Sequence, residues 1–290
     1  MTTAPQTSPA QPFYSRYARE LTALVFGPLT VWLVGWSHPW LFNAAIGAVS
    51  LLALYEFLVF GRRKGYEIPV FLCLCIALVI LAAFVLDDLS VEIGVYITLL
   101  VIPASYVFGK SNLEEALPSS AISVLATMYV GMLGGCLIRL RHDFEQGSDL
   151  VFFLFLVVWL GDAGAYYTGR RFGKHKLSPR ISPKKTVEGL AGGVVTSIIT
   201  AIVIQMTFFA EFPLLHAIIA GAVLSVAGVV GDLAESMWKR SAAVKDSGTL
   251  IPGHGGFLDR LDSVLFTAPI LYVYWAFVQQ GAASLNIITG

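Results

Sequence analysis

Charge is what this chain most lacks. Only 13% of its 290 residues are Asp, Glu, Lys or Arg, where a soluble domain carries about 25%. So few charges cannot cover the surface of a globule, and an ordinary soluble domain is excluded. Cysteine is scarce as well. Cys73, Cys75 and Cys136 all fall inside apolar stretches, which excludes a disulfide-built secreted scaffold and reads as three small buried hydrophobes. No internal repeat and no low-complexity tract is present, and the composition excludes disorder and collagen. Neither sign of charge dominates: 19 basic and 19 acidic residues give a formal net charge of +0, which argues against an overall basic nucleic-acid binder.

What the chain has in abundance is apolar surface. Hydrophobic residues make up 56% and the mean hydropathy is +0.74. Runs of about 20 apolar residues recur, the length that crosses a bilayer as a helix. The expected spans are 21–36, 40–60, 68–86, 91–108, 119–138, 150–168, 189–210, 214–238 and 263–280. The reading is an all-α polytopic integral membrane protein of about nine transmembrane helices. Residues 1–20 form a polar N-terminal tail rather than a signal peptide. Residues 21–149 are N-terminal transmembrane helices, and residues 150–290 form a C-terminal region with two long loops.

The loops orient the chain. Seventeen of the nineteen basic residues fall on the side of the N-terminus, and only Arg139 and Arg141 fall on the other. This asymmetry places the N-terminus and both long loops in the cytoplasm, and the C-terminus on the opposite side. The zero net charge is thus a cancellation between two oppositely charged faces.

The two long loops carry the chemistry, and each follows an acid inside a span. Asp162 lies about two turns inside the end of its span, where an ionised carboxylate needs a polar cavity, a cation or a partner. After it come seven cations within residues 169–188, ending in Ser182-Pro183-Lys184-Lys185-Thr186-Val187-Glu188-Gly189. Hydroxyls, ammonium groups and free helix N–H groups converge there, as a phosphate site requires. A loop that only fixes topology, or touches anionic head groups, accounts for the charge alone. The spacing is not that of a Walker A loop.

The second block runs from Gly231-Asp232 through Glu235-Ser236 and Lys239-Arg240 to Lys245-Asp246. It then passes Pro252-Gly253-His254-Gly255-Gly256 and closes on Asp259-Arg260-Leu261-Asp262. Asp232 and Glu235 share a helix face by their spacing, and Asp259 and Asp262 repeat it. Hard oxygen ligands of this kind suit Mg²⁺, which takes one or two carboxylates plus phosphates and water. Two readings of His254 stand, a phosphate donor and a brace for the turn. Simple bracing between helices needs fewer than the five carboxylates and four cations of residues 232–262. Metal-ligating acids beside phosphate-binding cations at a membrane boundary imply phosphoryl or nucleotidyl transfer, without naming nucleotide or lipid.

These residues resemble the phosphatidate cytidylyltransferase family, also called CDP-diacylglycerol synthases. The similarity is to a signature of Ser-x-apolar-Lys-Arg, Lys-Asp four residues on, Pro-x-His-Gly-Gly and Asp-Arg-x-Asp, unbroken here from Ser236 to Asp262. The segments from Asp162 to Tyr166 and from Ser182 to Gly189 match as well, so the similarity covers about 150–265. The resemblance implies that CTP and phosphatidic acid become CDP-diacylglycerol and pyrophosphate, with Mg²⁺ as cofactor and a homodimeric assembly. It implies a metal centre at Asp232 and Asp259, with room for a second cation such as K⁺.

The expected catalytic residues are Asp232, Asp259, Lys239, Arg240, Lys245 and Arg260. Asp162, Ser182, Lys184, Lys185, Thr186, Ser236 and His254 are expected to bind substrate. Asp232, Asp259, Asp262 and Asp246 are the expected metal ligands. The expected location is the bacterial plasma membrane, with the site facing the cytoplasm and no nucleic-acid partner. The alternatives are a CTP-dependent transferase or kinase acting on an isoprenoid alcohol or ether lipid, and, more remotely, an ion-coupled transporter.

Overall fold

Each long apolar run forms a helix, because in hydrocarbon a backbone must satisfy its own N–H and C=O groups. The computed structural model describes residues 13–86, 88–109, 112–248 and 255–289, with side chains described between 24 and 280. The helices are α1 (Phe13–Gly35), α2 (Pro39–Arg63), α3 (Val70–Ala83), α4 (Val91–Val107), α5 (Leu113–His142), α6 (Gly147–Phe172), α7 (Val187–Thr207), α8 (Leu214–Ser241) and α9 (Leu258–Thr289). Two short strands, β1 (Lys176–Ser178) and β2 (Ser182–Thr186), lie between α6 and α7.

The chain is an α-helical membrane protein. Among the described residues, six helices are long and apolar enough to span a bilayer: α2, α5, α6, α7, α8 and the Leu258–Gln280 part of α9. α3, α4 and the described side-chain stretch of α1 (Leu24–Gly35) are shorter. At 1.5 Å per residue the 14 residues of α3 reach only about 21 Å, against about 30 Å of hydrocarbon. The hydropathy window at 68–86 overestimated this helix, because Pro69 stands at its start and the chain turns at Phe84. In α1 the error runs the other way. The helix begins at Phe13, inside the stretch read as a tail, since polar side chains lower hydropathy without preventing a helix.

Two packed cores organise the bundle. One gathers α6, α7, α8 and α9 around Phe153, Phe209, Phe212 and Trp275. The other gathers α2, α3 and α5 around Leu54, Ile80 and Val130, and extends to Leu258 and Leu265 of α9. The two are joined where the indole of Trp238, near the end of α8, packs on Phe57 of α2 at 4.5 Å and Tyr129 of α5 at 5.0 Å.

The α6–α7 pair is packed through small residues. Cβ atoms added at Gly164 or Gly192 would collide with Thr196 and Thr168 of the facing helix. Such close backbone approach is how membrane helices associate without a hydrophobic driving force. It also sets the width of the site described next.

Candidate active site

The segment between α6 and α7 is not an open loop but an antiparallel hairpin, with Lys176 opposite Thr186 and Ser178 opposite Ser182. Glu188 clasps its base. The carboxylate accepts the backbone N–H of Lys174 at 3.0 Å and of His175 at 3.2 Å, and lies 2.6 Å from His175 Nδ1. Thr186 caps α7, its hydroxyl oxygen accepting the N–H of Gly189 at 3.1 Å, which satisfies one of the helix's free donors. The hairpin thereby brings Lys185 to Asp232 of α8.

A cavity of about 610 Å³ lies beneath the hairpin. From α6 it receives Asp162, Ala165, Tyr166, Gly169 and Arg170, spaced so that all share one helix face. The hairpin contributes Leu177, Lys184, Lys185 and Thr186, and α7 contributes Gly189 and Leu190. Val229 and Asp232 of α8 and Asp259, Arg260, Asp262 and Ser263 of α9 complete the wall. Cations from α6, the hairpin and α9 thus surround carboxylates from α6, α8 and α9.

The polar contacts divide the acids into two groups. Asp232 faces the cavity, with Oδ2 2.7 Å from Lys185 Nζ, while its Oδ1 accepts the hydroxyl of Ser236 at 3.2 Å. Asp162 and Asp262 open into the same space and interact electrostatically with Asp232. Among the described residues nothing donates a hydrogen bond to Asp162, and Asp262 accepts only the N–H of Ser263, at 2.6 Å. Glu235 turns the other way. It is 1% exposed, and its Oε2 lies 2.7 Å from Lys239 Nζ, which also reaches Asp259 Oδ1 at 2.5 Å. The i,i+3 pair read as sharing a face therefore splits between cavity and interior. Three residues along a helix leaves an offset of about 60°, enough to separate them where the wall is this narrow.

The family model described as "Cytidylyltransferase family" matches residues 17–278. The chain belongs to this family. It is 36% identical over 237 residues to the phosphatidate cytidylyltransferase of Bacillus subtilis, covering 80% of this chain and 87% of that one. It is 38% identical over 263 residues to the phosphatidate cytidylyltransferase of Staphylococcus haemolyticus, covering 88% and 97%. It is 32% identical over 283 residues to that of Haemophilus influenzae, covering 90% and 98%. The similarity therefore extends well beyond the C-terminal half that carries the signature.

In this member of the cytidylyltransferase family, the cavity collects Asp162, Lys184, Lys185, Thr186, Asp232, Asp259, Arg260 and Asp262 of the expected set. Lys239 and Ser236 stand behind it, each bonded to an acid that lines it. Ser182, in β2, is not part of the lining. Arg240 is turned to backbone carbonyls instead, at Ile181 (3.4 Å) and Val244 (3.3 Å), and so ties α8 to the hairpin. Lys245 and Asp246 are exposed in the turn after α8 and do not line the cavity. This geometry gives no support to Asp246 as a metal ligand beside Asp232. His254 lies outside the described residues.

Three polar lining residues were absent from the expected set: Tyr166, Arg170 and Ser263. Arg170 stands eight residues after Asp162, two turns along the same face, a spacing legible in the sequence. Ser263 follows Asp259 by four residues in the same way. Glu56 of α2 was also missed, although it is the lone acid in the apolar run 40–60 and intramembrane acids are functional candidates.

Proposed function

We infer that this protein converts CTP and phosphatidic acid to CDP-diacylglycerol and pyrophosphate within the membrane, as a nucleotidyltransferase of phospholipid biosynthesis. The observation that carries the reading is the single cavity where the cationic hairpin meets acids from three apolar helices. Phosphates need the cations, a hard metal needs the acids, and a lipid needs the helices.

The donor set fits Mg²⁺. Asp162, Asp232, Asp259 and Asp262 all line one cavity, and the ammonium paired with Asp232 is that of Lys185. Among the described residues no three His, Cys, Asp or Glu side chains are gathered closely enough to enclose a metal alone. Mg²⁺ takes one or two carboxylates and fills its shell with phosphate and water. Asp232 and Asp259 would hold it, with Asp262 beside them on the same wall, and when bound it would supply positive charge to the triphosphate.

The protein's own residues do the positioning. The phosphate monoester of the lipid is already an anionic nucleophile, so no general base is required. One of its oxygens bonds to the α-phosphorus of CTP, and the bond from the α-phosphorus to the bridging oxygen breaks. Pyrophosphate leaves with that electron pair. Arg260, Lys184, Lys185 and Arg170 neutralise charge on the reacting phosphates, where preorganised donors act most strongly. The Thr186 hydroxyl, on the cavity wall, offers a further phosphate contact. Lys239 holds Asp259 from behind.

The finer reading has nine membrane crossings, the short α3 crossing where the bilayer thins around it, with the N-terminus, hairpin and cavity on the cytoplasmic face of a bacterial plasma membrane. The uneven distribution of basic residues supports it. A homodimer belongs to the same reading. The test is an assay of purified protein in mixed micelles with CTP, phosphatidic acid and Mg²⁺. CDP-diacylglycerol and pyrophosphate in equal amounts are expected. Release of CDP, or no product with phosphatidic acid, overturns the assignment.

A further inference from the structure

Glu56 sits in α2, far in sequence from the residues that line the cavity, and is 3% exposed. A carboxylate among apolar helices is costly unless hydrogen-bonded. Here both of its donors come from one distant segment. Oε2 accepts the backbone N–H of Leu258, the first residue of α9, at 2.9 Å. The hydroxyl of Ser247 lies 3.0 Å from the same oxygen. Gly248 and Gly256 close around this carboxylate, where a Cβ on either would overlap it.

The Ser247 hydroxyl also lies 2.9 Å from Asp259 Oδ2. One hydroxyl hydrogen therefore serves two carboxylates, Glu56 and Asp259, which hold the serine between them. Asp259 Oδ2 accepts two more bonds from the same segment, the N–H of Ser247 at 3.0 Å and of Gly256 at 2.9 Å. Its other oxygen contacts Lys239. Asp259 is thus oriented on one side by Lys239 and on the other by a loop whose two ends are both fastened to Glu56. Without Glu56 the Leu258 N–H is a free helix-end donor, and the start of α9 loses its hydrogen bond to α2.

We propose that Glu56 is a positioning residue for the reaction, acting through Ser247 and the start of α9 to aim Asp259 into the cavity. The proposal rests on the nucleotidyl-transfer reading of that cavity. It gives the N-terminal helices a part in the chemistry beyond embedding the chain.

The experiment compares wild type, Glu56→Ala, Glu56→Gln, Ser247→Ala and the double variant Glu56→Ala/Ser247→Ala in CDP-diacylglycerol synthesis, with kcat and KM for CTP resolved. Misplacing a catalytic group by about 1 Å costs on the order of 10²-fold, so Glu56→Ala should lower kcat by that order while KM changes by less than about threefold. Glu56→Gln keeps an oxygen for the two donors and should recover most of the loss. The double variant should be no slower than the slower single, since the two residues form one chain of contacts. Wild-type kcat in Glu56→Ala, a Glu56→Gln as slow as Glu56→Ala, or losses that multiply in the double variant would each overturn the proposal. If Glu56→Ala does not fold, Ser247→Ala decides: a lower kcat at unchanged KM upholds the chain of contacts, and wild-type kcat sinks it. A wild type that makes no CDP-diacylglycerol removes the reaction itself, and the role of Glu56 falls with it. Active wild type with unaffected variants removes only that role.

Discussion

Lys185 Nζ lies 2.7 Å from Asp232 Oδ2, and this contact joins side chains of the two charged blocks of the sequence. Lys185 ends a hairpin held by Glu188 and Thr186, while Asp232 projects from α8. Neither residue alone defines a site. Together they bring a phosphate-binding cation and a hard oxygen donor to one cavity wall.

Removing that ammonium should be costly in turnover and cheap in folding. Lys185→Ala is expected to reduce kcat/KM for CTP by about 10²-fold, the scale of losing one preorganised charge donor. Lys185→Arg should fall between wild type and Ala, since a guanidinium keeps the charge but not the compact geometry. Steady-state kinetics with CTP varied at saturating phosphatidic acid checks the order. Equal activity for Ala and wild type would remove Lys185 from the site.

Chelation of divalent cations should abolish CDP-diacylglycerol formation, and Mg²⁺ should restore it. Asp262→Asn should raise the Mg²⁺ concentration for half-maximal rate by about 10–100-fold, as for lost metal-site groups generally. A titration of rate against Mg²⁺ for both proteins reads this directly. Full activity in excess chelator would contradict the metal reading.

The narrow α6–α7 seam predicts a paired loss of stability and activity. A Cβ at Gly189 would sit 2.9 Å from the carbonyl oxygen of Ala165 and 3.3 Å from Cα of Gly169. Both are backbone atoms that cannot rotate away. Gly189→Val is expected to destabilise by about 1–3 kcal/mol, typical of overpacking, and to lower turnover by spreading the cavity wall. Thermal unfolding in detergent and the CDP-lipid assay, run together, measure the pair.

The Glu188 clasp predicts a conformational readout independent of the reaction. Glu188→Ala frees the backbone N–H groups of Lys174 and His175 that the carboxylate now holds. Trypsin should then cut within residues 170–185 faster than in wild type, because local opening sets the cleavage rate. Unchanged proteolysis would show that the cap at Thr186 suffices to hold the hairpin.

Much of this was legible in one dimension. Hydropathy marked where helices run, because each residue's transfer into hydrocarbon depends mainly on its own side chain. The seven helices from α4 to α9 and α2 begin or end close to the apolar runs that announce them, whereas α1 and α3 differ because helicity and hydropathy are separate properties. Local periodicity also placed Asp259 with Asp262, since i,i+3 spacing needs no knowledge of other helices.

The amino-acid order alone therefore established a helical membrane protein with two charged blocks, and the type of chemistry those blocks suit. Tertiary packing decided which charges meet. It sent Asp232 to Lys185 and Glu235 to Lys239, left Asp246 exposed off the cavity, turned Arg240 to backbone carbonyls, and brought Glu56 to Ser247 across 191 residues. Those outcomes depend on helix rotation and close approach through glycine. A side chain's partner across a bundle is set by the packing of neighbouring helices, which no local spacing records.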